Sequence, residues 1–83
     1  MADEKKVGEV FSFFNKINVA AIKVAALIKV GDTIHIKGHT TDFEQKVSSM
    51  QIEGKEVKTA KKGDDIGIKV AERVRPNDIV YKK

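Results

Sequence analysis

Hydrophobic and polar residues alternate over short stretches of this chain, and each stretch follows a turn-forming residue and an aspartate. Residues 31–36 read GDTIHI, residues 63–68 read GDDIGI, and residues 77–81 read NDIVY. Glycine and asparagine tolerate positive φ, and an aspartate can hydrogen-bond the backbone a residue or two further on. Alternation then places every second aliphatic side chain on one face, although the third copy carries apolar residues on both faces. We predict a turn that enters a strand at all three places.

The remaining apolar positions predict further strands. We expect a first strand over residues 7–14, whose imperfect alternation allows a β-bulge, and a turn over residues 15–18. Residues 43–53 are expected to form one long strand that bends around two serines and supplies the core candidates Val47, Met50 and Ile52. A hairpin turn over residues 53–56 and a short strand from Val57 follow. Other expected strands cover residues 33–37, 65–70 and 79–82, and other expected connections cover residues 38–42 and 72–77.

Residues 17–28 fit two structures. Their apolar positions fall at helical spacing, and four alanines favour a helix. Their β-branched residues instead allow a strand over residues 19–24 and a turn near residues 25–28. Read alone, the segment fits a helix better, whereas all-β surroundings favour the strand.

Together these elements predict an all-β fold, a single small antiparallel β-barrel of six to seven strands. We expect residues 1–6 to be a flexible lead-in and residues 7–83 to form the barrel domain. An 83-residue chain has room for one modest core, and therefore little room for an active site between two lobes. We accordingly expect a non-enzymatic binding module, because small barrels commonly serve that purpose.

The amino-acid composition restricts the cellular location and the kinds of chemical site that we expect for this chain. The chain contains no cysteine, which excludes disulfides, thiolate zinc sites and cysteine nucleophiles and is typical of a cytoplasmic protein. We find no signal-peptide pattern and no apolar run long enough for a membrane span, so we expect no membrane association. No stretch of the form G-x-x-x-x-G-K-[ST] is present to hold phosphates. We expect no cofactor and no metal, since neither His35 nor His39 has a spaced ligand partner.

The charge leaves two interpretations open. Lysine and arginine number 16 against 12 acidic residues, giving a net charge of +4. The basic residues with the best chance of converging on a phosphate-binding face are Lys55, Lys58, Lys61, Lys62, Arg73 and Arg75. The alternative is a solvated surface with glutamates interleaved. The four phenylalanines likewise fit either the core, which we favour, or stacking platforms for unpaired bases.

Four segments resemble the second domain of translational GTPases, the β-barrel of elongation factor Tu and initiation factor 2. They are residues 29–36, 46–50, 60–68 and 77–80. The chain is also similar to the small translation elongation factor-like proteins that carry this barrel alone, and to the C-terminal barrel of U32 peptidase-like proteins. The resemblance implies that residues 19–24 form a strand. It also implies that Gln51 occupies the position of a glutamate that contacts the tRNA 3′ end in elongation factor Tu.

From this resemblance we expect a translation-associated module that binds tRNA, ribosomal RNA or the ribosome through a basic barrel face. The basic residues named above would contact phosphates, while Gln51 and His39 would offer hydrogen bonds to a nucleotide. The alternative is a protein-interaction or accessory barrel that works with a protein partner such as a GTPase or a U32-type enzyme. In either case we expect a monomer.

Overall fold

The computed structural model describes residues 5–83, and every regular element in that range is a β-strand. Within these residues no helix is long and apolar enough to cross a membrane. The first four residues of the predicted lead-in lie outside the described range, and Lys5 and Lys6 already belong to the first strand. The strands are β1 Lys5–Phe14, β2 Val19–Val24, β3 Ile28–Lys29, β4 Thr33–Lys37, β5 Asp42–Lys46, β6 Met50–Ile52, β7 Lys55–Val57, β8 Thr59–Ala60, β9 Asp65–Lys69 and β10 Ile79–Lys82.

Eight of the strands form one antiparallel sheet in the order β5, β4, β10, β1, β2, β9, β6 and β7. The short strands β3 and β8 pair with each other. The sheet curls around a single core as a half-barrel, so the predicted all-β antiparallel barrel class is confirmed. The described residues contain ten strands instead of six or seven, because several pieces of connecting chain pair over only two or three residues.

The core is formed by the side chains that face inward at every second position of the strands. Ile34 and Ile36 on β4 and Ile66 and Ile68 on β9 are all buried, whereas the residues between them are more exposed. This arrangement follows from the side-chain period of two along a strand. The other buried members of the core cluster are Val7, Val10, Ala20, Ile22, Val24, Ile28, Phe43, Val47, Met50, Ala60, Val70, Val74 and Val80.

The three turn-aspartate sequences form the same hydrogen-bonded turn. Oδ2 of Asp32 accepts a hydrogen bond from the backbone N–H of Lys29 at 2.8 Å, and the N–H of Asp32 donates to the carbonyl of Lys29 at 3.1 Å. The same two bonds join Asp64 to Lys61 and Asp78 to Arg75. The third turn residue has positive φ in each copy, at 98°, 96° and 79° for the two glycines and the asparagine.

The predicted turn before each strand is confirmed, but the aspartate bonds the backbone in the opposite direction along the chain from the one predicted. The aspartate accepts from the N–H three residues earlier, instead of bonding the backbone further on. The positive φ at the third position with an i to i+3 backbone bond is the geometry of a type II turn, which favours glycine or asparagine there. Each turn therefore closes on itself before its strand begins.

Residues 17–28 contain a strand, as the resemblance implied, and no helix. β2 lies inside the sheet and pairs with β1 on one side and β9 on the other. Ala20, Ala21, Ile22 and Val24 are buried there. Pairing on both edges and burial therefore outweigh the helical propensity of the alanines.

The expected long strand over residues 43–53 is two separate strands. β5 pairs with β4 at one end of the strand order, whereas β6 pairs with β9 and β7 near the other end. Between them Val47 is fully buried, and its backbone bonds to Gly31 and Asp32 at 2.8 and 2.9 Å. Val47 and Met50 belong to the core as predicted, and Ile52 packs against it partly buried. The expected strand at Val57 begins earlier, at Lys55.

Candidate functional site

A groove on the outer surface runs between the first two strands and two of the aspartate turns. Its volume is about 480 Å³, which is within the usual range of roughly 300–1,000 Å³ for ligand sites. Val10 and Val24 form its buried floor, and Phe11 and Pro76 add apolar surface. The groove is therefore mostly apolar.

The wall of the groove that Phe11 provides depends on a β-bulge. Val10 pairs with Ile22 and Ser12 pairs with Ala21, so Phe11 is an extra residue without an opposite partner on β2. A bulge changes the direction of a side chain, and Phe11 is 53% exposed although it directly follows the buried Val10. The bulge that the imperfect alternation allowed is present, and it places an aromatic ring at the surface.

Two turns form the facing walls because their backbones are bonded to the floor strands. The N–H of Gly63 donates to the carbonyl of Val24 at 2.9 Å, and the N–H of Asn77 donates to the carbonyl of Val10 at 2.8 Å. Gly63 and Asn77 both have positive φ and line the groove. The shape of the groove is therefore fixed by backbone hydrogen bonds of the sheet and its turns.

The border of the groove is basic. Lys6, Lys23 and Lys62 line it, together with the single carboxylate of Glu9. Lys6 lies 3.7 Å from Glu9 in an exposed ion pair. Within residues 5–83, no ion pair joins Lys23 or Lys62 to a carboxylate. Lys23 lies opposite Glu9 on one side and Asp65 on the other, but within the described residues neither Lys23 nor Lys62 is held in an ion pair.

A second apolar surface lies at the tip of the β1–β2 hairpin. The N–H of Ile17 donates to the carbonyl of Phe14 at 3.2 Å and closes the turn, and Asn18 leaves it with a φ of 54°. Phe14 and Ile17 are 51% and 61% exposed. A depression of about 350 Å³ is lined by residues 13–17. The predicted turn over residues 15–18 is confirmed, and it presents large apolar side chains to solvent.

Two of the four phenylalanines lie outside the core that we favoured for them. Phe43 is buried and Phe13 packs partly buried against the core, but Phe11 and Phe14 are exposed. The bulge explains why Phe11 is exposed. Phe14 is exposed because it lies at the end of β1. Aliphatic residues fill the core instead.

His35 forms a polar cluster near the edge of the sheet. Its Nε2 donates a hydrogen bond to Oδ1 of Asp42, and its ring centroid lies 6.4 Å from that of Tyr81. This hydrogen bond is the main cause that lowers the pKa of Asp42 below its usual value, with the charges of His35 and Lys37 acting in the same direction and desolvation opposing them. The side chain of His35 is 14% exposed, and Asp42 lies diagonally from it on β5, opposite Lys37.

The eight residues predicted to bind nucleic acid are all exposed, and they lie on several different strands and connections. Gln51 and Lys55 lie on β6 and β7 at one end of the strand order, and His39 lies between β4 and β5 at the other. Lys62 lines the groove beside the turn that contains Arg75. The remaining three are Lys58, Lys61 and Arg73, each in or next to a connection between strands. Among residues 5–83, no three metal-ligating side chains are grouped to hold an ion.

Curated sequence relatives cover nearly the whole chain. It is 46% identical over 77 residues to an uncharacterised protease of Methanocaldococcus jannaschii, and 37% identical over 78 residues to a collagenase of Porphyromonas gingivalis. Each match covers 92% of this chain but only 19% and 22% of the relatives. The chain thus spans about a fifth of the length of these relatives. No protein-family model matches it.

The fold is similar to two crystal structures of the C-terminal domain of a Geobacillus thermoleovorans protein assigned to the U32 peptidases. The TM-scores are 0.89 and 0.90 at 20% sequence identity, and the matches cover 95% of this chain. They also cover 99% and 92% of the compared chains. At this identity the similarity establishes the shared fold.

The expectation of a translation elongation factor-like protein that binds RNA or the ribosome is therefore wrong. The relatives are named protease and collagenase, and the similar structures are a U32 peptidase domain. The motifs that carried the resemblance are turns that enter strands, and their aspartates bond their own backbone. Turns of this type favour glycine or asparagine followed by aspartate in any barrel, so these motifs indicate backbone geometry and not function.

Proposed function

We propose that this chain is an accessory protein-interaction barrel that docks on the catalytic part of a U32-type protease. The observation that carries the proposal is the 46% identity to one fifth of a protease over 92% of this chain. A segment with this similarity occurs there in one polypeptide with the rest of the enzyme. The similar U32 peptidase domain has the same fold.

The hairpin tip supplies the docking surface in this proposal. Phe14 and Ile17 expose large apolar side chains beside the depression at residues 13–17. Burial of apolar area is the main favourable contribution in protein association, with roughly 25 cal/mol for each Å² removed from water. The rest of a protease chain is the occupant that the sequence similarity supports.

We further propose that the chain itself is non-catalytic and contributes no cofactor. The chain lacks cysteine, and His35 is engaged with the carboxylate of Asp42 in the structure. The bonds of Asp32, Asp64 and Asp78 to backbone N–H groups support a role in the turns for these carboxylates. The cytoplasmic location and the monomeric state remain predictions.

Complex formation in trans tests the proposal. The partner is the Methanocaldococcus jannaschii protease from which the segment matching this chain has been deleted, and its folding is checked first by circular dichroism. Sedimentation velocity of the mixture should show a 1:1 complex. The intact protease, in which the matching segment occupies the site, should not bind. Absence of a complex with the folded deletion variant would refute the docking.

A further inference from the structure

We infer that the groove beside Phe11 binds an acidic peptide segment that carries a large apolar side chain. This inference goes beyond the proposed function, since it concerns a different surface from the hairpin tip and requires no protease. Three observations carry it: an aromatic side chain turned outward by a bulge, an apolar floor, and a lining with three lysines and one carboxylate, in which two of the lysines are in no ion pair within the described chain.

The apolar part of the groove selects one large side chain. Phe11 is an exposed wall of the groove, whose lining also includes Pro76 and the buried side chains of Val10 and Val24. An aromatic or leucine side chain inserted here would remove the ring of Phe11 and the face of Pro76 from water. Aromatic anchors in such pockets commonly provide most of the binding free energy of a peptide or protein partner.

The border of the groove selects the charge of the partner. Lys6, Lys23 and Lys62 surround it against one carboxylate, so its described lining carries a net charge of +2. Lys6 is in an ion pair with Glu9, whereas Lys62, and Lys23 between its cross-strand neighbours Glu9 and Asp65, are in no ion pair within the described chain and can turn to a ligand. Carboxylates on either side of the apolar anchor would complement them, and such complementarity favours the correct partner over basic or neutral ones.

A peptide fits better than a small anion because one wall offers peptide-like hydrogen bonding. The side-chain amide of Asn77 lines the groove and makes no hydrogen bond to the rest of the described chain. An amide provides both donors and an acceptor, which match the carbonyl and N–H of a passing peptide unit. The positive φ of Asn77 is fixed by the turn, and this holds the residue beside the groove.

The inference is tested with defined peptides and the whole 83-residue chain. The probe is a fluorescein-labelled hexapeptide that alternates glutamate with leucine and phenylalanine, and the comparison peptides replace glutamate by glutamine or lysine. Fluorescence anisotropy should show binding of the acidic peptide that weakens with added salt and exceeds that of both others. Equal binding of the acidic and glutamine peptides would overturn the role of the lysines.

Variants locate the binding to the groove. Lys23→Glu combined with Lys62→Glu should weaken binding of the acidic peptide about tenfold, and the milder Lys23→Gln/Lys62→Gln variant should fall between. Phe11→Ser should weaken it to a similar degree, because it removes the aromatic wall. Lys55→Glu on β7 is the matched control and should bind as the unmodified chain does. Unchanged affinity in the folded lysine variants would overturn the inference.

The same measurements distinguish an acidic peptide from other possible occupants of the groove. A labelled oligouridylate of matched charge that bound more tightly than the peptide would overturn the inference, as would a dimer in sedimentation whose dissociation depends on Phe11. Failure of peptide binding with intact docking of the protease would refute this inference alone. The hairpin variants Phe14→Ser and Ile17→Ser should leave peptide binding unchanged, because they lie outside the groove lining.

Discussion

Gly38 packs so closely against Asp78 that a Cβ at position 38 would overlap Oδ1 of the carboxylate. The same carboxylate accepts the N–H of Arg75 through Oδ2 at 2.8 Å, and Asp78 is only 4% exposed. The loop after β4 and the turn before β10 are therefore fitted together through one buried side chain. This contact joins two neighbouring strands of the sheet at their ends.

Gly38→Ala should destabilise the fold by about 2 kcal/mol, because the carboxylate must move and lose its partly buried hydrogen bond. Urea denaturation measures the effect. In a chain that already carries Asp78→Ala, the same change at Gly38 should cost much less, since the overlapping atoms are gone. Equal costs in the two backgrounds would show that the packing of Gly38 against Asp78 does not matter. Gly31→Ala is the comparison for backbone strain alone, with a φ of 98° and nothing within 4 Å of its Cβ.

The aspartate turns should contribute to stability in proportion to their burial. Asp64→Ala should cost about 1 kcal/mol through the lost bond to the N–H of Lys61, and Asp78→Ala about 2 kcal/mol because Asp78 is buried. Asn at either position keeps an oxygen acceptor and should retain much of the stability. Asp65→Ala, at an exposed neighbouring position, is the control and should stay within about 0.5 kcal/mol of the parent chain. A larger loss at Asp65 than at Asp64 would contradict the turn account.

The side chain of Gln45 links β5 to the end of β9. Its Nε2 donates to the carbonyl of Lys69 at 2.9 Å, and its Oε1 accepts the N–H of Ala71 at 2.8 Å. Gln45→Glu replaces the donor by a carboxylate oxygen facing a carbonyl, so we expect a loss of about 1–2 kcal/mol and faster hydrogen exchange at Ala71. Gln51→Glu on β6 makes the same chemical change at an exposed position and should have little effect. Similar losses at both positions would contradict this role of Gln45.

The lowered pKa of Asp42 predicts a dependence of stability on acid. Because the folded chain holds the ionised carboxylate more strongly than the unfolded chain, the contribution is fully present above the unfolded pKa of about 3.9. It is lost as the pH falls through the lower folded pKa. In a plot of the urea midpoint against pH, the acid limb is the fall in stability between about pH 2 and pH 5. This fall should be shallower for Asp42→Asn than for the unmodified chain. Asp65→Asn is the comparison variant. An unchanged acid limb in Asp42→Asn would contradict the prediction.

The sequence predicted those parts of the fold that depend only on residues close together in the chain. A glycine or asparagine followed by aspartate specifies the turn by itself, and alternation then selects the buried face, as at Ile66 and Ile68. Residues 43–53 could not be divided correctly from local pattern, because the break depends on Val47 bonding to a turn far away in sequence. The competition between helix and strand at residues 17–28 was likewise decided by neighbouring strands.

The groove beside Phe11 and the hairpin tip were harder to predict from the sequence. Phe11 and Phe14 look like core residues in the sequence, and only the bulge and the end of the strand at the hairpin expose them. The imperfect alternation of the first strand was the one available signal. Lys23 and Lys62 are distant in the chain and meet at the groove because the turn at Gly63 bonds to Val24. The translation-factor resemblance failed because its motifs describe these turns.

The account depends most on docking through the hairpin tip. Isothermal titration calorimetry of this chain into the Methanocaldococcus jannaschii protease without its matching segment measures that docking directly. We predict 1:1 binding that weakens at least about tenfold in the Phe14→Ser/Ile17→Ser variant, through lost apolar contact, and is unchanged in Lys55→Glu. Equal affinity of the folded hairpin variant and the unmodified chain, or no binding by either, would contradict the account.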